Sequence, residues 1–163
     1  MKFRTEIEVS PFPFSINHNG QAVLMGSCFT SNIGDRLQDS CFKTLQNPFG
    51  ITFNPVSLAN QVSQIIKGNT YSEKNLIKHQ NHFLSFDHHS SFNDHNVAVV
   101  LEKINVKIEE AKSTLENAEV LFLSLGSAWV WERKENKQIV NNCHKIPSTE
   151  FNKRILGAGE IKD

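Results

Sequence analysis

Cysteine is scarce in this chain, and long apolar runs and net charge are absent. The three cysteines, Cys28, Cys41 and Cys143, are an odd number with no close pair, so the sequence predicts neither a disulfide framework nor a zinc site. No apolar run approaches the ~20 residues of a membrane span. Seventeen basic residues balance seventeen acidic ones, which disfavours nucleic acid or an anionic membrane as partner. Cys41 and Cys143 are predicted to be small buried hydrophobes.

A secretory leader is also missing from the first residues. Met1 to Glu6 carry charges but no apolar core segment follows, so no signal peptide is predicted and the expected location is the cytoplasm. The chain has 163 residues, of which 39% are hydrophobic and 21% charged. These values predict a single soluble globular domain over residues 1–163.

Predicted strands and helices alternate along most of the chain. Continuous apolar runs are typical of buried strands, and apolar residues at three- and four-residue spacing are typical of helices with one buried stripe. The predicted elements are a strand at Ala22–Met25, a helix carrying Phe29, Ile33 and Leu37, a strand at Phe42–Leu45, a helix from Val56 ended by Gly68-Asn69, a loop over 70–95 with one or two short strands that include Phe83–Phe86, a helix from near Asp94 to Leu115, a fully buried strand at Val120–Leu125, a hairpin of Trp129–Trp131 with Gln138–Val140, and the start of a helix at Gly159–Asp163. This alternation predicts an α/β sandwich with a parallel central sheet.

Two of the predicted apolar strands end in glycine followed by serine. Met25 runs into Gly26 and Ser27, and Leu125 runs into Gly126 and Ser127. Ligands of open parallel sheets lie beyond the carboxyl ends of the strands. Both strands are therefore expected to deliver their next residues to the same rim of the sheet.

The Gly26-Ser27-Cys28 triplet places a hydroxyl and a thiol at a predicted strand-to-helix turn. A nucleophile there would gain from the positive end of the helix dipole and from free backbone N–H groups that can bind an oxyanion. The structural alternative is equally concrete: Ser27 caps the helix and Cys28 is a small buried residue. The triplet alone leaves both interpretations open.

Several motifs together resemble one known family. Gly26-Ser27-Cys28-Phe29-Thr30 resembles the signature Gly-Ser-Cys-Phe-Ala of the GSCFA family, with Thr30 in place of Ala. Further similar stretches are Pro11–Phe14, Asn47–Pro55, His89-Ser90, Leu125–Val130 and Asn142–Lys145. The family resembles a branch of the SGNH (GDSL-type) hydrolases, which implies a three-layer α/β/α sandwich with a mainly parallel central sheet.

The resemblance also implies roles for individual residues. Aligned without a gap, Cys28 takes the position of the SGNH nucleophile; a shift of one residue gives that role to Ser27. Gly50 corresponds to an oxyanion-binding glycine in the second loop. An Asn-Asp motif is expected where this chain has Ser127-Ala128-Trp129. Asn142 is therefore the candidate for the role of the oxyanion asparagine. The pocket would be lined by Gly26, His89, Gly126, Ser127 and Trp129.

The base is the uncertain part of this resemblance. SGNH enzymes place a histidine three residues after an aspartate, and no Asp-x-x-His occurs here. His144 is a candidate substitute, and the base is otherwise expected in a segment downstream of residue 163, which would make the chain an N-terminal portion of the domain. The dense histidines between His82 and His95 match no zinc spacing, so no metal is predicted.

The expected function is that of an esterase or acyltransferase acting on an acyl ester, such as an O-acetylated glycan or a thioester, without a cofactor. Two alternatives stay open. The chain is a catalytically inactive binding domain, or Cys28 is a redox-sensing thiol.

Overall fold

The computed structural model describes residues 5, 7–8 and 10–162. Met1–Arg4 and Glu6, in which no signal peptide is predicted, and Asp163, at the end of a predicted helix, lie outside the described residues. The helices and strands in chain order are β1 (Gln21–Gly26), α1 (Cys28–Asp39), β2 (Lys43–Gln46), α2 (Pro55–Lys67), β3 (Ile77–His79), β4 (His82–Leu84), α3 (Val97–Glu116), β5 (Val120–Ser124), β6 (Trp129–Arg133), β7 (Ile139–Val140), β8 (Phe151–Ile155) and α4 (Ala158–Lys162).

Strands β1, β2 and β5 form a three-stranded parallel sheet. Its order is β2-β1-β5, with Met25 opposite Leu123 and Gly26 opposite Ser124. Strand β1 lies in the centre, and its residues from Ala22 onward are buried. The predicted mixed α/β class with a parallel sheet is therefore confirmed, whereas the finer three-layer arrangement stays a prediction.

The main core lies between this sheet and helices α2 and α3. Each helix begins at an asparagine cap: Asn54 accepts a hydrogen bond from the Ser57 amide, and Asn96 accepts one from the Ala98 amide. Helix α2 ends at Gly68 in the left-handed conformation, as predicted. The core residues are Val23, Met25, Phe49, Leu58, Ile65, Tyr71, Val100, Ile104, Ile108 and Ala111.

Two antiparallel units complete the fold. Strands β3 and β4 form a hairpin, and a second sheet has the order β7-β6-β8. The predicted hairpin of Trp129–Trp131 with Gln138–Val140 is confirmed as β6 and β7. Strand β8 was not predicted, and the predicted strand at Phe83–Phe86 is confirmed only in part, because β4 ends at Leu84. Helix α3 begins at Val97 and not near Asp94, since the Asp94 backbone pairs with Phe83.

The predicted full burial of Val120–Leu125 is wrong. Leu121 and Leu123 are exposed, and the other β5 residues are half-buried. The physical reason is position: β5 is an edge strand of the parallel sheet, and Leu123 and Leu125 line an open apolar cavity between α2 and α4. The predicted burial of two cysteines is also wrong, because Cys41 is exposed in a left-handed turn after α1 and Cys143 is only half-buried.

Across the described residues, none of the helices combines the length and apolarity that crossing a membrane would need.

Candidate functional site

The turn after β1 is shaped by Gly26. Its φ is +133°, a conformation that side chains with a Cβ rarely adopt. A Cβ built on Gly26 would lie 2.1 Å from the Ser124 carbonyl oxygen, and this same oxygen accepts the Ser27 amide at 3.2 Å. The turn therefore folds back against the end of β5, and only glycine leaves room for that approach.

Ser27 is the N-cap of helix α1. Its side chain is buried, its Oγ accepts a hydrogen bond from the Phe29 amide, and Oγ lies 2.5 Å from the Ser124 Oγ. The hydroxyl thus has a partner on each side. This geometry matches the capping role that Ser, Thr, Asp and Asn play at helix starts.

Cys28 occupies the first helical position and is exposed. Within the described residues, no hydrogen-bond acceptor is recorded for its backbone amide, as is usual in the first turn of a helix. The alternative in which Cys28 is a buried small residue is wrong. An accessible sulfur and a free N–H donor therefore stand together at the positive end of α1.

Asn47 holds the turn from the neighbouring strand, a contact that the sequence interpretation missed. Its Oδ1 accepts the Gly26 amide at 2.8 Å, and its Nδ2 donates to the Ser31 Oγ at 2.8 Å. The only local signal was an asparagine directly after β2 and before Pro48. The contact spans more than twenty residues, so no local pattern reports it.

The loop after β5 reaches the same turn. The Gly126 and Ser127 amides both donate to the Phe53 carbonyl, at 3.0 and 2.9 Å. A Cβ on Gly126 would lie 3.1 Å from the Cβ of Ser27, so this glycine also permits a close approach. The structure thereby brings Gly26, Ser27 and Gly126 together at one rim, where the two glycine-ended strands finish.

Ser127 and Trp129 continue this loop into β6. The Ser127 Oγ accepts the Trp129 amide at 3.1 Å, which is a turn interaction. The Trp129 side chain is about half exposed, and the Lys153 ammonium lies 4.8 Å from its ring centroid. Trp129 therefore contributes an accessible aromatic surface at the start of the second sheet.

Gly50 and His89 form a separate contact. Gly50 has a φ of +93°, and a Cβ there would lie 2.3 Å from the His89 Cβ. The Gly50 amide donates to the Asn47 carbonyl at 2.7 Å, so this N–H is engaged in a turn. His89 is exposed, and its Nδ1 lies 3.1 Å from the Ser91 Oγ.

His144 and Asn142 line a cavity of about 400 Å³, together with His79. The His144 Nε2 donates to the Ser85 carbonyl at 2.7 Å, and its Nδ1 accepts from the Asn93 Nδ2 at 3.2 Å. Burial lowers the pKa of His144. Both ring nitrogens are thus engaged in a neutral imidazole, while the Asn142 Oδ1 accepts the His144 amide at 2.9 Å.

A buried polar chain connects the turn to helix α2. The Gly26 carbonyl accepts the Thr52 amide at 2.8 Å, and the Thr52 Oγ1 donates to the Gln61 Oε1 at 3.0 Å. The Gln61 Nε2 then donates to the Asp87 carbonyl at 3.0 Å. Thr52 and Gln61 are almost fully buried, so each of these groups depends on its partner.

Comparison with known proteins identifies the family of this chain. The family model described as the GSCFA family matches residues 21–163. The chain belongs to the GSCFA family. No curated protein and no solved structure matches it.

Each residue that matches the GSCFA signature has its own structural role. Gly26 makes the turn, Ser27 caps the helix and Cys28 presents its sulfur to solvent. Phe29 is exposed beside Cys28. Thr30, which replaces the final Ala of the signature, is buried, and its Oγ1 donates to the Ser27 carbonyl at 2.6 Å. The departure from the signature therefore adds a hydrogen bond to the turn.

The GSCFA chain holds no cluster of three or more His, Cys, Asp or Glu side chains placed to bind a metal ion, as far as its described residues go. Its histidines instead make individual contacts. His88, for example, is fully buried and stacked on Phe49 at 4.3 Å between ring centroids.

Proposed function

We propose that the chain is an SGNH-like esterase or acyltransferase whose attacking atom is the Cys28 sulfur. The observation that carries the proposal is the different exposure of two neighbouring residues. Cys28 is exposed, whereas Ser27 is buried and its hydroxyl is hydrogen-bonded to Ser124. A nucleophile must reach the substrate carbonyl, and only the thiol does so without breaking the cap.

The proposed reaction has two steps. The Cys28 thiolate attacks the acyl carbonyl carbon, a C–S bond forms, and the negative charge on the carbonyl oxygen is held by the backbone N–H groups at the start of α1. The tetrahedral intermediate then collapses, the ester C–O bond breaks, and the leaving alkoxide takes from solvent the proton that the Cys28 thiol gave up when it ionised. Water or an acceptor hydroxyl afterwards attacks the thioester, which releases the acyl group and restores the thiol.

The substrate is proposed to be an acyl ester, with an O-acetylated glycan and a thioester as the two leading classes. Exposed Phe29 and Trp129 offer apolar surface near the rim, while His89 against Gly50 is the histidine that we propose to line the pocket. Support for the finer three-layer SGNH sandwich comes from the parallel β2-β1-β5 sheet and the strand-to-helix turn. A cytoplasmic location is proposed because the three cysteines are free thiols.

The decisive experiment is acylation by p-nitrophenyl acetate, followed by peptide mapping of the acetyl group. We expect acetyl transfer to Cys28 in the wild type and in Cys41→Ala, and none in Cys28→Ala. Cys41 is a matched control because it is also exposed but lies at the other end of α1. Ser27→Ala should keep acylation at Cys28 while losing about 1 kcal/mol of stability with its cap.

The proposed chemistry would be refuted if Cys28 and Cys41 were acylated at the same rate, or if acylation required Ser27. Ser27→Ala is informative only if circular dichroism shows a folded protein, since the cap contributes to the helix.

A second candidate is a binding domain without catalysis. The specific observation in its favour is that no histidine ring within the described residues hydrogen-bonds to the Gly26–Cys28 turn, so a general base is not in place. In that case Cys28 would still be acylated by an activated ester, but the acetyl-enzyme would not turn over. Comparing the initial burst with the steady-state release of p-nitrophenol separates the two.

A further inference from the structure

The Asp87 carboxylate is the most unusual charged group outside the turn. It is largely buried, and its Oδ2 accepts a hydrogen bond from the Tyr71 hydroxyl at 2.7 Å. Burial raises the pKa of Asp87. In the described part of the chain, no lysine, arginine or histidine forms an ion pair with it. A carboxylate held in this way costs stability, which makes it a candidate for a function.

Three adjoining cavities are lined by Asp87, and we call the two that also share Gln64 the Asp87 cavity. The larger has a volume of about 410 Å³, within the range of small-molecule sites, and the smaller about 220 Å³. They share Gln64, Asp87 and Gln138. Most of the other lining side chains also carry a primary amide: Asn60, Gln61, Asn69 and Asn75.

The amides leave both donors and acceptors free. Gln64 uses its Oε1 to accept from the Asn69 Nδ2, which leaves the Gln64 Nε2 as a donor and the Asn69 Oδ1 as an acceptor. The Asn75 Oδ1 accepts hydrogen bonds from the Ser72 amide and hydroxyl, which leaves the Asn75 Nδ2 as a donor. For the Gln138 side chain and the Asp87 Oδ1, no partner is recorded among the described residues.

The chemistry of this lining selects one class of ligand. An anion is disfavoured by Asp87, and the basic side chains nearby, Lys74 and Arg133, line the third cavity but neither of these two. A divalent cation normally takes several carboxylates, and Asp87 is the only one that lines the Asp87 cavity. Hydroxyl groups both donate and accept, so a ring that carries several of them can pair with donors and with acceptors. We propose that the Asp87 cavity binds a neutral polyhydroxylated ligand, namely a saccharide ring, through its amides and the Asp87 carboxylate.

This site is independent of the acyl chemistry proposed for Cys28, since saccharide binding requires no nucleophile. The test is therefore a binding measurement. The side-chain amides give their own signals in a ¹H–¹⁵N correlation spectrum, so a ligand in the cavity can be detected by the shifts of the Asn and Gln signals that line it. The probes are the methyl glycosides of glucose, galactose and mannose, with methoxycyclohexane as a ring of the same size that lacks hydroxyls.

We expect at least one glycoside to shift the amide signals of Gln64, Asn75 and Gln138, while Gln38, an exposed amide on α1, stays unshifted. Methoxycyclohexane should shift none of them. Asp87→Asn should weaken binding about tenfold or more, because a carboxylate accepts stronger hydrogen bonds than an amide. Gln138→Ala, an exposed position where the fold is not at risk, should weaken it as well.

Three results would overturn the proposal. One is the absence of shifts with all three glycosides at concentrations far above a Kd of ~1 mM. Another is equal binding by the wild type and both variants, each checked for an unchanged thermal midpoint. The third is that calcium chloride alone shifts these signals while the glycosides do not, since that would make the site a cation site.

Discussion

Replacing Gly26 with alanine is the sharpest test of the turn geometry. Gly26 has a φ of +133°, and its Cβ would lie 2.1 Å from the Ser124 carbonyl oxygen and 2.9 Å from the carbonyl carbon. A backbone conformation of this kind costs a residue with a Cβ about 1–3 kcal/mol. The obstacle is backbone, which cannot rotate away as a side chain would, so relief requires β1 and β5 to separate. We therefore expect a loss of at least about 3 kcal/mol.

That loss is large against the ~5–15 kcal/mol that separates folded from unfolded domains. Urea unfolding of a small protein has a slope of about 1–3 kcal/mol per M, so the midpoint should fall by roughly 1–3 M. Gly159→Ala is the matched control, because a Cβ at Gly159 in helix α4 meets nothing within 4 Å. It should be as stable as the wild type or slightly more stable, since alanine favours helices by about 0.8–1 kcal/mol over glycine.

The reasoning fails if Gly26→Ala unfolds within about 0.5 kcal/mol of the Gly159→Ala control. Such a result would mean that the turn does not pack against Ser124 as described. It would also contradict the assignment of Ser27 as the helix cap and of Cys28 as the exposed nucleophile, because both depend on that packing. A destabilised but folded Gly26→Ala protein would leave that assignment intact.

Two further predictions concern pH and the sheet edge. Burial lowers the pKa of His88 to about 3. Between a pH of about 6.5 and about 3 the unfolded chain therefore binds a proton at His88 that the folded chain does not bind. The free energy of unfolding should be at its full value above a pH of about 6.5 and fall by roughly 4 kcal/mol as the pH drops to about 3. Urea unfolding across that range should show a clearly smaller fall in His88→Phe, and an equal fall would contradict it. Leu123 is about half exposed on edge strand β5, and exposed apolar strand edges promote association between chains. Leu123→Lys should therefore reduce concentration-dependent light scattering and change stability by no more than about 0.5 kcal/mol; unchanged scattering would contradict this expectation.

Local patterns in the sequence predicted the elements well where both strand faces are covered. Ala22–Met25 is apolar throughout, and the structure buries it at the centre of the sheet. Val120–Leu125 has the same pattern but lies at an edge with exposed leucines. Hydrophobic periodicity reports what a strand could bury, whereas the actual burial depends on which neighbours pack beside it.

The site shows the same division between local and long-range information. The strand-to-helix turn at Gly26 follows from residues adjacent in sequence. The choice between Ser27 and Cys28 needed the partner of the serine hydroxyl, Ser124, which is nearly a hundred residues away. The Asn47 contact with Gly26 spans 21 residues, and the amides around Asp87 come from separate segments of the chain, so no local motif could reveal them.

The two proposed sites are joined by the chain of hydrogen bonds from Gly26 through Thr52 and Gln61 to the Asp87 carbonyl. Because Thr52 and Gln61 are buried, removing either one leaves an unsatisfied partner that costs about 1–3 kcal/mol. A substitution there would therefore disturb the turn and the cavity together and could not assign a role to either. The Cys28 sulfur and the Asp87 carboxylate lie outside that chain, since it uses only the backbone carbonyl of Asp87. Substitutions at these two side-chain groups can consequently separate acyl chemistry from saccharide binding, which is the distinction on which both proposals depend.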